Sequence, residues 1–302
     1  MENNLSDKNE NKEKKGRGVS HSKIILMGEH SVVYGYPAIA IPLKNIRMEC
    51  IVERATVPFV HNKKDTLSTA IYTALNYLNR KSENIKYKVI SDIPPKRGMG
   101  SSAAVSIAAI RGVLDYFNTE VDNLTLEKLV NEAEIIAHNT PSGLDAKTCL
   151  SDSAIKFIKN KGFKNLEMNL GAYLLIADTG IHGHTRDAIM NIKNMGGRAL
   201  PMLEKLGKLT EETEKFIEEK DVINIGKNMI SAHGELKKLG VSIEKSDVLV
   251  KTAIDEGAYG AKMSGGGLGG CIIALMESKE KAEMTGKKLM EKGAVNIWIE
   301  AL

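Results

Sequence analysis

A glycine-rich loop between a strand and a long apolar helix restricts the fold of this chain most. The pattern predicts a strand at residues 87–90 and a helix at residues 102–117, separated by the segment PPKRGMGSSAA at residues 94–104. Unpaired amides and the positive dipole end of the helix would face this loop, so a phosphate chain fits there. The segment has neither the Walker spacing nor the dinucleotide fingerprint, and a plain turn with Ser101 or Ser102 as helix cap is the alternative.

Composition excludes several classes of protein. The 302 residues suffice for two ordinary domains, and the net charge of +4 is too small to indicate nucleic-acid binding. No apolar run has the length of a membrane helix, and the N-terminus lacks the apolar core of a signal peptide. Cys50, Cys149 and Cys271 are far apart and form no CxxC pair, which argues against a disulfide framework or a thiolate zinc site. We therefore expect a cytoplasmic protein with no nucleic-acid or membrane partner.

The remaining pattern predicts strands and helices after a polar N-terminal tail. Residues 1–18 are too polar to offset the entropy cost of ordering them, so regular structure is expected to begin near Val19. The first strands are expected to pair in a mixed sheet. Strands are predicted at residues 23–27, 38–42, 48–52, 87–90, 173–177 and 271–275, helices at 67–78, 102–117, 126–137 and within 187–239, and a glycine-dense turn at 265–270.

Three charged or titratable residues surround the first buried strand. Lys23 begins the apolar run KIILM, and Glu29 and His30 follow it in the string KIILMGEHSVVYG. Each residue alone is a weak signal, because a lysine at a strand edge is more often a solvated surface charge and a lone histidine more often structural.

Two carboxylates are candidates for chemistry later in the N-terminal half. Asp145 is the last residue of the segment TPSGLD, whose proline and glycine predict a sharp turn, although it could simply cap a short helix. Glu134 lies at the edge of the apolar stripe of its predicted helix, and it is an ordinary boundary carboxylate unless a cation faces it.

The run KMSGGGLGGC at residues 262–271 contains too many glycines for the interior of a helix or strand. Such a run indicates close approach of another backbone, for which a glycine bend packed against the phosphate loop is the functional interpretation. A flexible turn before the next apolar strand is the alternative.

Together and in this order, these segments resemble the three sequence motifs of the GHMP kinases. KIILMGEHSVVYGYPAIA resembles the first motif of the mevalonate kinases in this family, and in length the chain is similar to their compact microbial form. AEIIAHNTPSGLD and ADTGIHGHTR resemble the segments of that group that carry acidic and substrate-side residues. Ser22, Met99 and Gly266 depart from the glycine, leucine and alanine usual in these motifs.

The resemblance implies an α+β, two-lobed GHMP kinase fold, with an N-terminal mixed-sheet ATP-binding lobe at residues 19–170 and a C-terminal ferredoxin-like lobe at 171–302. It implies ATP and Mg²⁺ as cofactors and Asp145 and Lys23 as catalytic residues. The other implied site residues are Pro95, Gly98, Gly100, Ser101, Ser102 and Ala103 for the nucleotide, Ser102 and Glu134 for the metal, Glu29, His30, Thr185 and Arg186 for the substrate, and Ser264, Gly265, Gly266 and Gly267 in the third motif.

The activity implied is transfer of the γ-phosphate of ATP to an alcohol, with mevalonate as the expected substrate and a homodimer as the expected assembly. Phosphomevalonate kinase and homoserine kinase are the alternatives within the family. A non-catalytic nucleotide sensor and a scaffolding protein are alternatives of other classes, and the two glycine loops with an acidic pair disfavour both.

Overall fold

Two antiparallel sheets, each packed against helices, form the framework of the protein. The computed structural model describes residues 14–138 and 143–302, so the first half of the turn predicted at residues 140–145 lies outside the described residues. Within the described ranges, no helix is both long and apolar enough to cross a membrane. The strands are β1 (Lys15–Met27), β2 (Pro37–Arg54), β3 (Ile85–Ser91), β4 (Ala154–Ile158), β5 (Gly162–Leu166), β6 (Tyr173–Asp178), β7 (Gly260–Ser264), β8 (Cys271–Met276) and β9 (Asn296–Ala301).

The helices predicted from the 3.6-residue periodicity of apolar residues at 67–78, 102–117, 126–137 and within 187–239 are confirmed, as is the α+β class, whereas the helices at 144–150, 244–255 and 279–291 were not predicted. The helices are α1 (Thr66–Tyr77), α2 (Ser101–Tyr116), α3 (Asn123–His138), α4 (Leu144–Leu150), α5 (Thr185–Met195), α6 (Leu200–Glu218), α7 (Val222–Lys238), α8 (Glu244–Asp255) and α9 (Lys279–Glu291), with 3-10 turns at Ser31–Tyr34 and Gly196–Ala199.

Strand β2 is the centre of the N-terminal sheet. It pairs along most of its length with β1 on one edge, while β3 and β4 pair with different parts of its other edge. Every described pairing in this sheet is antiparallel, so the prediction of a mixed sheet was wrong. The physical reason is the short connection between β1 and β2, because a chain that reverses direction within about ten residues returns antiparallel.

The start of β1 also differs from the prediction. Regular structure was expected near Val19, whereas β1 begins at Lys15. Gly16 and Gly18 lie against α2, and a Cβ atom on Gly18 would be 2.0 Å from the carbonyl oxygen of Ala108. The two glycines therefore allow a strand and a helix to pack closely, a role that composition alone does not distinguish from that of a polar tail.

The C-terminal sheet has the strand order β7-β8-β6-β9 and the chain order βαββαβ, which is the ferredoxin-like arrangement. Leu174 and Ile176 on one face of β6 join the core shared with the N-terminal half. Leu175 and Ala177 on the other face join a separate core formed with α8 and α9. Burial of both faces explains why β6 and β8 are continuous apolar runs rather than alternating ones.

The close contact between β1 and α2 makes a prediction about stability. We expect Gly18→Ala to lower the free energy of unfolding by about 2 kcal/mol or more, because the added methyl group would meet backbone atoms of α2 that cannot rotate away. Chemical denaturation measures the change.

Gly234→Ala is the matched control. Gly234 lies within α7, and an added Cβ there meets nothing within 4 Å. This change should raise stability by about 0.5 to 1 kcal/mol through helix propensity. Equal stability of the two variants would contradict the assignment of Gly18 to a close contact.

Candidate active site

The glycine-rich loop between β3 and α2 has the backbone of a helix-entry loop with left-handed residues. Gly98 and Gly100 have φ values of 77° and 71°. Gly100 is the residue before α2, and the helix start has no side-chain cap. The alternative in which Ser101 or Ser102 acts as that cap is therefore excluded, and the first amides of α2 are left facing the loop.

Lys23 and Asp145 form an ion pair directly below this loop. The Nζ atom of Lys23 lies 2.8 Å from Oδ1 of Asp145 and donates to the carbonyl oxygen of Gly98 at 3.2 Å. The Lys23 side chain is only 2% exposed, while that of Asp145 is 43% exposed, in the first turn of α4. Lys23 is thus a buried cation rather than the surface lysine that its strand-edge position allows, and its partner is accessible from outside.

Glu134 extends from α3 toward the start of α2. The hydroxyl group of Ser102 donates to Oε1 of Glu134 at 3.2 Å. Burial and the negative charge of Asp145 raise the pKa of Glu134 to about 7, against the opposing effects of Ser102 and Lys23. The environment of this carboxylate therefore favours the arrival of additional positive charge.

A cleft of about 410 Å³ brings most of the predicted residues together. Its walls come from both halves of the chain. The lining residues are Pro95, Lys96, Arg97, Gly98, Gly100, Ser101, Ser102, Asp145, Gly183, Thr185, Ser264, Gly266, Gly267, Gly269 and Gly270. Lys23 lies beneath this lining, and a larger open groove beside Lys14 and Tyr116 contains none of the predicted site residues.

The glycine turn between β7 and β8 packs against the loop before α2, as predicted. A Cβ atom on Gly265 would lie 2.8 Å from the Cα atom of Gly98. A Cβ atom on Gly266 would lie 1.9 Å from the hydroxyl oxygen of Thr185. The alanine usual at position 266 in the family motif would therefore collide with Thr185 here, which accounts for the glycine.

A buried ion pair that the sequence analysis missed joins Glu29 to Lys262. The two side chains are 1% and 0% exposed, and Lys262 also donates to the carbonyl oxygen of Met263 at 2.8 Å. Burial raises the pKa of Glu29 and lowers that of Lys262, while each charge opposes the shift of the other. The available signal was a lysine within the otherwise apolar strand GAKMS, and the direct substrate role of Glu29 stays a prediction.

His30 has an unusual backbone and a buried ring. Its φ angle is 61°, in the left-handed region, and its Nε2 atom is buried without a hydrogen-bond partner among the described residues. Burial and the Lys262 ammonium group lower the pKa of His30 to about 4. The ring is therefore neutral at pH 7 and carries no positive charge.

Thr185 and Arg186 differ in their placement at the start of α5. Thr185 lines the cleft, whereas the exposed Arg186 does not. Four further predicted residues and Gly265 also lie outside the lining, namely Glu29, His30, Ala103 and Glu134. Gly265 nevertheless contacts the loop, and Glu134 is bonded to Ser102.

Comparison with known proteins relates this geometry to one family. Residues 69–152 match the GHMP kinases N terminal domain, and residues 213–293 match the GHMP kinases C terminal domain. Over 306 residues the chain is 31% identical to a mevalonate kinase of Pyrococcus furiosus, with 89% of this chain and 91% of that protein covered. A mevalonate kinase of Methanocaldococcus jannaschii is 28% identical over 306 residues, with 87% and 92% covered.

Solved structures agree with this relationship. A mevalonate kinase from Staphylococcus aureus is 29% identical with a TM-score of 0.78, covering 96% of this chain and 99% of that one. The L. major mevalonate kinase in complex with R-mevalonate has a TM-score of 0.85 at 24% identity, covering 95% and 96%, and shows the shared fold. The chain belongs to the GHMP kinase family, and the predicted two-lobed fold is confirmed.

The buried state of His30 predicts a stability that depends on pH. Its folded-state pKa lies below the ordinary value of 6.5, so the unfolded chain binds the proton more tightly. The stability that the folded protein gains by keeping His30 neutral is fully present above pH 6.5 and is lost as the pH falls toward 4. Between pH 7.5 and pH 5.0 this single group should cost about 2 kcal/mol of stability.

Urea denaturation of His30→Gln at both pH values tests this expectation. The variant should lose about 2 kcal/mol less than the parent on acidification. His182→Gln, which changes an exposed histidine, is the control and should behave as the parent does. Equal acid sensitivity of the parent and His30→Gln would contradict the assignment.

Proposed function

We propose that this protein transfers the γ-phosphate of MgATP to the primary hydroxyl group of mevalonate, producing 5-phosphomevalonate and ADP. The observation that carries the proposal is the ion pair of Lys23 and Asp145, 2.8 Å apart, below a glycine loop at the start of a helix. Relatives of nearly full length that are named mevalonate kinase support this choice of substrate.

The loop is the proposed site of the nucleotide phosphates. Amide groups from Gly98 to Ser102 would donate to phosphate oxygens, assisted by the positive end of the α2 dipole. Pro95 and Ala103 would flank the same phosphates. The loop residues with positive φ let these amides point toward one ligand rather than continue the helix.

Ser102 and Glu134 fit Mg²⁺. Both offer oxygen atoms, which this hard cation prefers. Burial and the Asp145 charge raise the pKa of Glu134 despite the opposing effect of Lys23, so an added cation would stabilise the charged carboxylate. The remaining ligands of the ion would be phosphate oxygens and water. When bound, the ion would neutralise charge on the phosphates.

Asp145 and Lys23 would carry out the proton and charge steps. Phosphoryl transfer has a loose transition state, so the protein contributes mainly position and electrostatic stabilisation. Asp145, which is accessible from the cleft, would accept the proton of the attacking hydroxyl group at one of its carboxylate oxygens. The Lys23 ammonium group would stabilise negative charge developing on the alcohol oxygen, and its burial would strengthen that effect.

The far end of the cleft would hold the remainder of the substrate. Thr185 lines the cleft and would donate a hydroxyl hydrogen bond, and the neutral His30 would donate one N–H group. Arg186 is then the residue proposed to bind the substrate carboxylate, for which its planar guanidinium group is suited. The homodimer is proposed on the family resemblance alone, and the cytoplasmic location on composition and cysteine usage.

A coupled ADP-release assay tests the reaction. MgATP is supplied with mevalonate, phosphomevalonate, homoserine or galactose, and we expect turnover with mevalonate only. Asp145→Asn and Lys23→Met should each lower kcat by about 10²- to 10⁴-fold and leave ATP affinity nearly unchanged. Asp255→Asn, which changes an exposed aspartate on α8, is the control and should retain full activity.

Two other results of this assay would change the proposal. Selective turnover of a different alcohol would keep the phosphotransfer mechanism and overturn the substrate assignment. Nucleotide binding without any turnover would favour the sensor alternative.

Arg186→Ala tests the placement of the substrate. We expect the KM for mevalonate to rise at least about tenfold, because a charge-assisted hydrogen bond is lost, while the KM for ATP changes little. Arg198→Ala removes a second exposed arginine outside the cleft lining and is the control. An unchanged KM for mevalonate in Arg186→Ala would exclude Arg186 from the substrate site.

A further inference from the structure

A second ion pair lies beside the phosphate loop, between Arg97 of the loop and Asp178 at the end of β6. Nε of Arg97 lies 2.6 Å from Oδ1 of Asp178, and the side chains are 10% and 4% exposed. Burial of such a pair is costly, and a well-packed apolar pair of similar volume is often at least as stable. Stability alone is therefore a poor explanation for two opposite charges at this position.

Asp178 begins a short segment, residues 178–184, that we term the strap. The strap runs between the phosphate loop and the glycine turn and is hydrogen bonded to both. On the loop side, the amide of Gly183 donates to the carbonyl oxygen of Lys96 at 2.9 Å. On the turn side, the hydroxyl group of Thr179 donates to the carbonyl oxygen of Gly270 at 2.6 Å.

The same oxygen atom of Asp178 connects the strap to Arg97. Oδ1 accepts a hydrogen bond from the amide of Gly180 at 2.8 Å and also contacts Nε of Arg97. The backbone of Arg97 is confined as well, because a Cβ atom on Gly270 would lie 2.9 Å from its carbonyl oxygen. Arg97 is thus held by its side chain and by its main chain from the C-terminal half.

The loop conformation requires such support. Lys96, directly before Arg97, has a φ angle of 58°, and a residue with a side chain pays a conformational cost in this left-handed region. Gly98, directly after Arg97, also has positive φ. Glycine adopts positive φ readily, so the conformational cost falls on Lys96. Lys96 keeps this shape only when contacts from outside hold it, and the Arg97 contacts and the hydrogen bond from Gly183 to the Lys96 carbonyl oxygen supply them.

We propose that Arg97 and Asp178 are positioning residues for nucleotide binding. Their ion pair holds the phosphate loop against the strap in the shape that presents the loop amides to the nucleotide phosphates. The inference rests on the proposed function in one respect, since it takes this loop as the phosphate site. The pair acts through the loop backbone, so loss of either partner has the same consequence.

The first test needs no nucleotide. Hydrogen exchange of the amides of residues 96–100 is measured in the nucleotide-free protein. We expect faster exchange in Arg97→Met and in Asp178→Asn than in the parent. Lys156→Met is the matched control, because Lys156 of β4 also pairs with an acid of the C-terminal half, Glu214 of α6, but lies outside the cleft lining.

The second test measures the affinity for MgADP and MgATP by calorimetry. The KM for ATP and the KM for the alcohol are measured as well. Arg97→Met and Asp178→Asn should each weaken nucleotide binding about tenfold and leave the KM for the alcohol within about twofold. Arg97→Lys, which keeps the charge, should recover part of the affinity. The double variant should be no weaker than either single variant, because both remove one interaction.

Several results would overturn the proposal. Loop exchange that changes no more than in Lys156→Met would show that the pair does not hold the loop. Weak nucleotide binding in Arg97→Met with normal binding in Asp178→Asn would show that Arg97 contacts the nucleotide directly. Absence of nucleotide binding by the parent would count against the proposed function, whereas the exchange result would still decide the role of the pair. Arg97→Lys and Asp178→Asn keep the tests available if Arg97→Met does not fold.

Discussion

The buried ammonium group of Lys23 connects the parts of the site that come from separate segments of the chain. Its side chain pairs with Asp145 and bonds the carbonyl oxygen of Gly98, and its own amide donates to the carbonyl oxygen of Met99. Removing a charge from water costs several kcal/mol, which these contacts must offset. Strand β1, the loop and α4 can therefore come together only in a register that brings an anion and a free carbonyl oxygen to Lys23.

Glycine is the other constraint, because the loop before α2 and the glycine turn between β7 and β8 meet through backbone rather than through side chains. Gly98 and Gly265 approach so closely that neither position has space for a Cβ atom without movement of the other. Gly100 also lacks space for a side chain, since a Cβ atom there would lie 2.8 Å from the side chain of Lys23. These contacts leave the loop amides unobstructed by side chains, which a phosphate-binding cleft requires.

Local pattern predicted much of the fold and the principal candidate residues, because helices, buried strands and loops have signatures within a few residues. Helix α2 and the loop before it are an example, and the Lys23–Asp145 contact agrees with the joint motif. The pairs Glu29–Lys262 and Arg97–Asp178 were not predictable in this way, because their members lie far apart in the chain and each is an ordinary charged residue in its own segment. The direction of strand pairing and the start of β1 depend equally on tertiary contacts.

Among the described residues around the cleft, not every buried charged side chain has an oppositely charged partner within 4 Å. Lys23, Arg97 and Lys262 are buried cations, and each has an acidic partner within 4 Å. Glu134 differs, because among the described residues it has no cationic partner within that distance, and the Asp145 carboxylate raises its pKa further. A protein can keep such a carboxylate buried when a bound cation supplies the missing charge. This imbalance is the electrostatic basis for our proposal that Ser102 and Glu134 hold the Mg²⁺ that accompanies ATP.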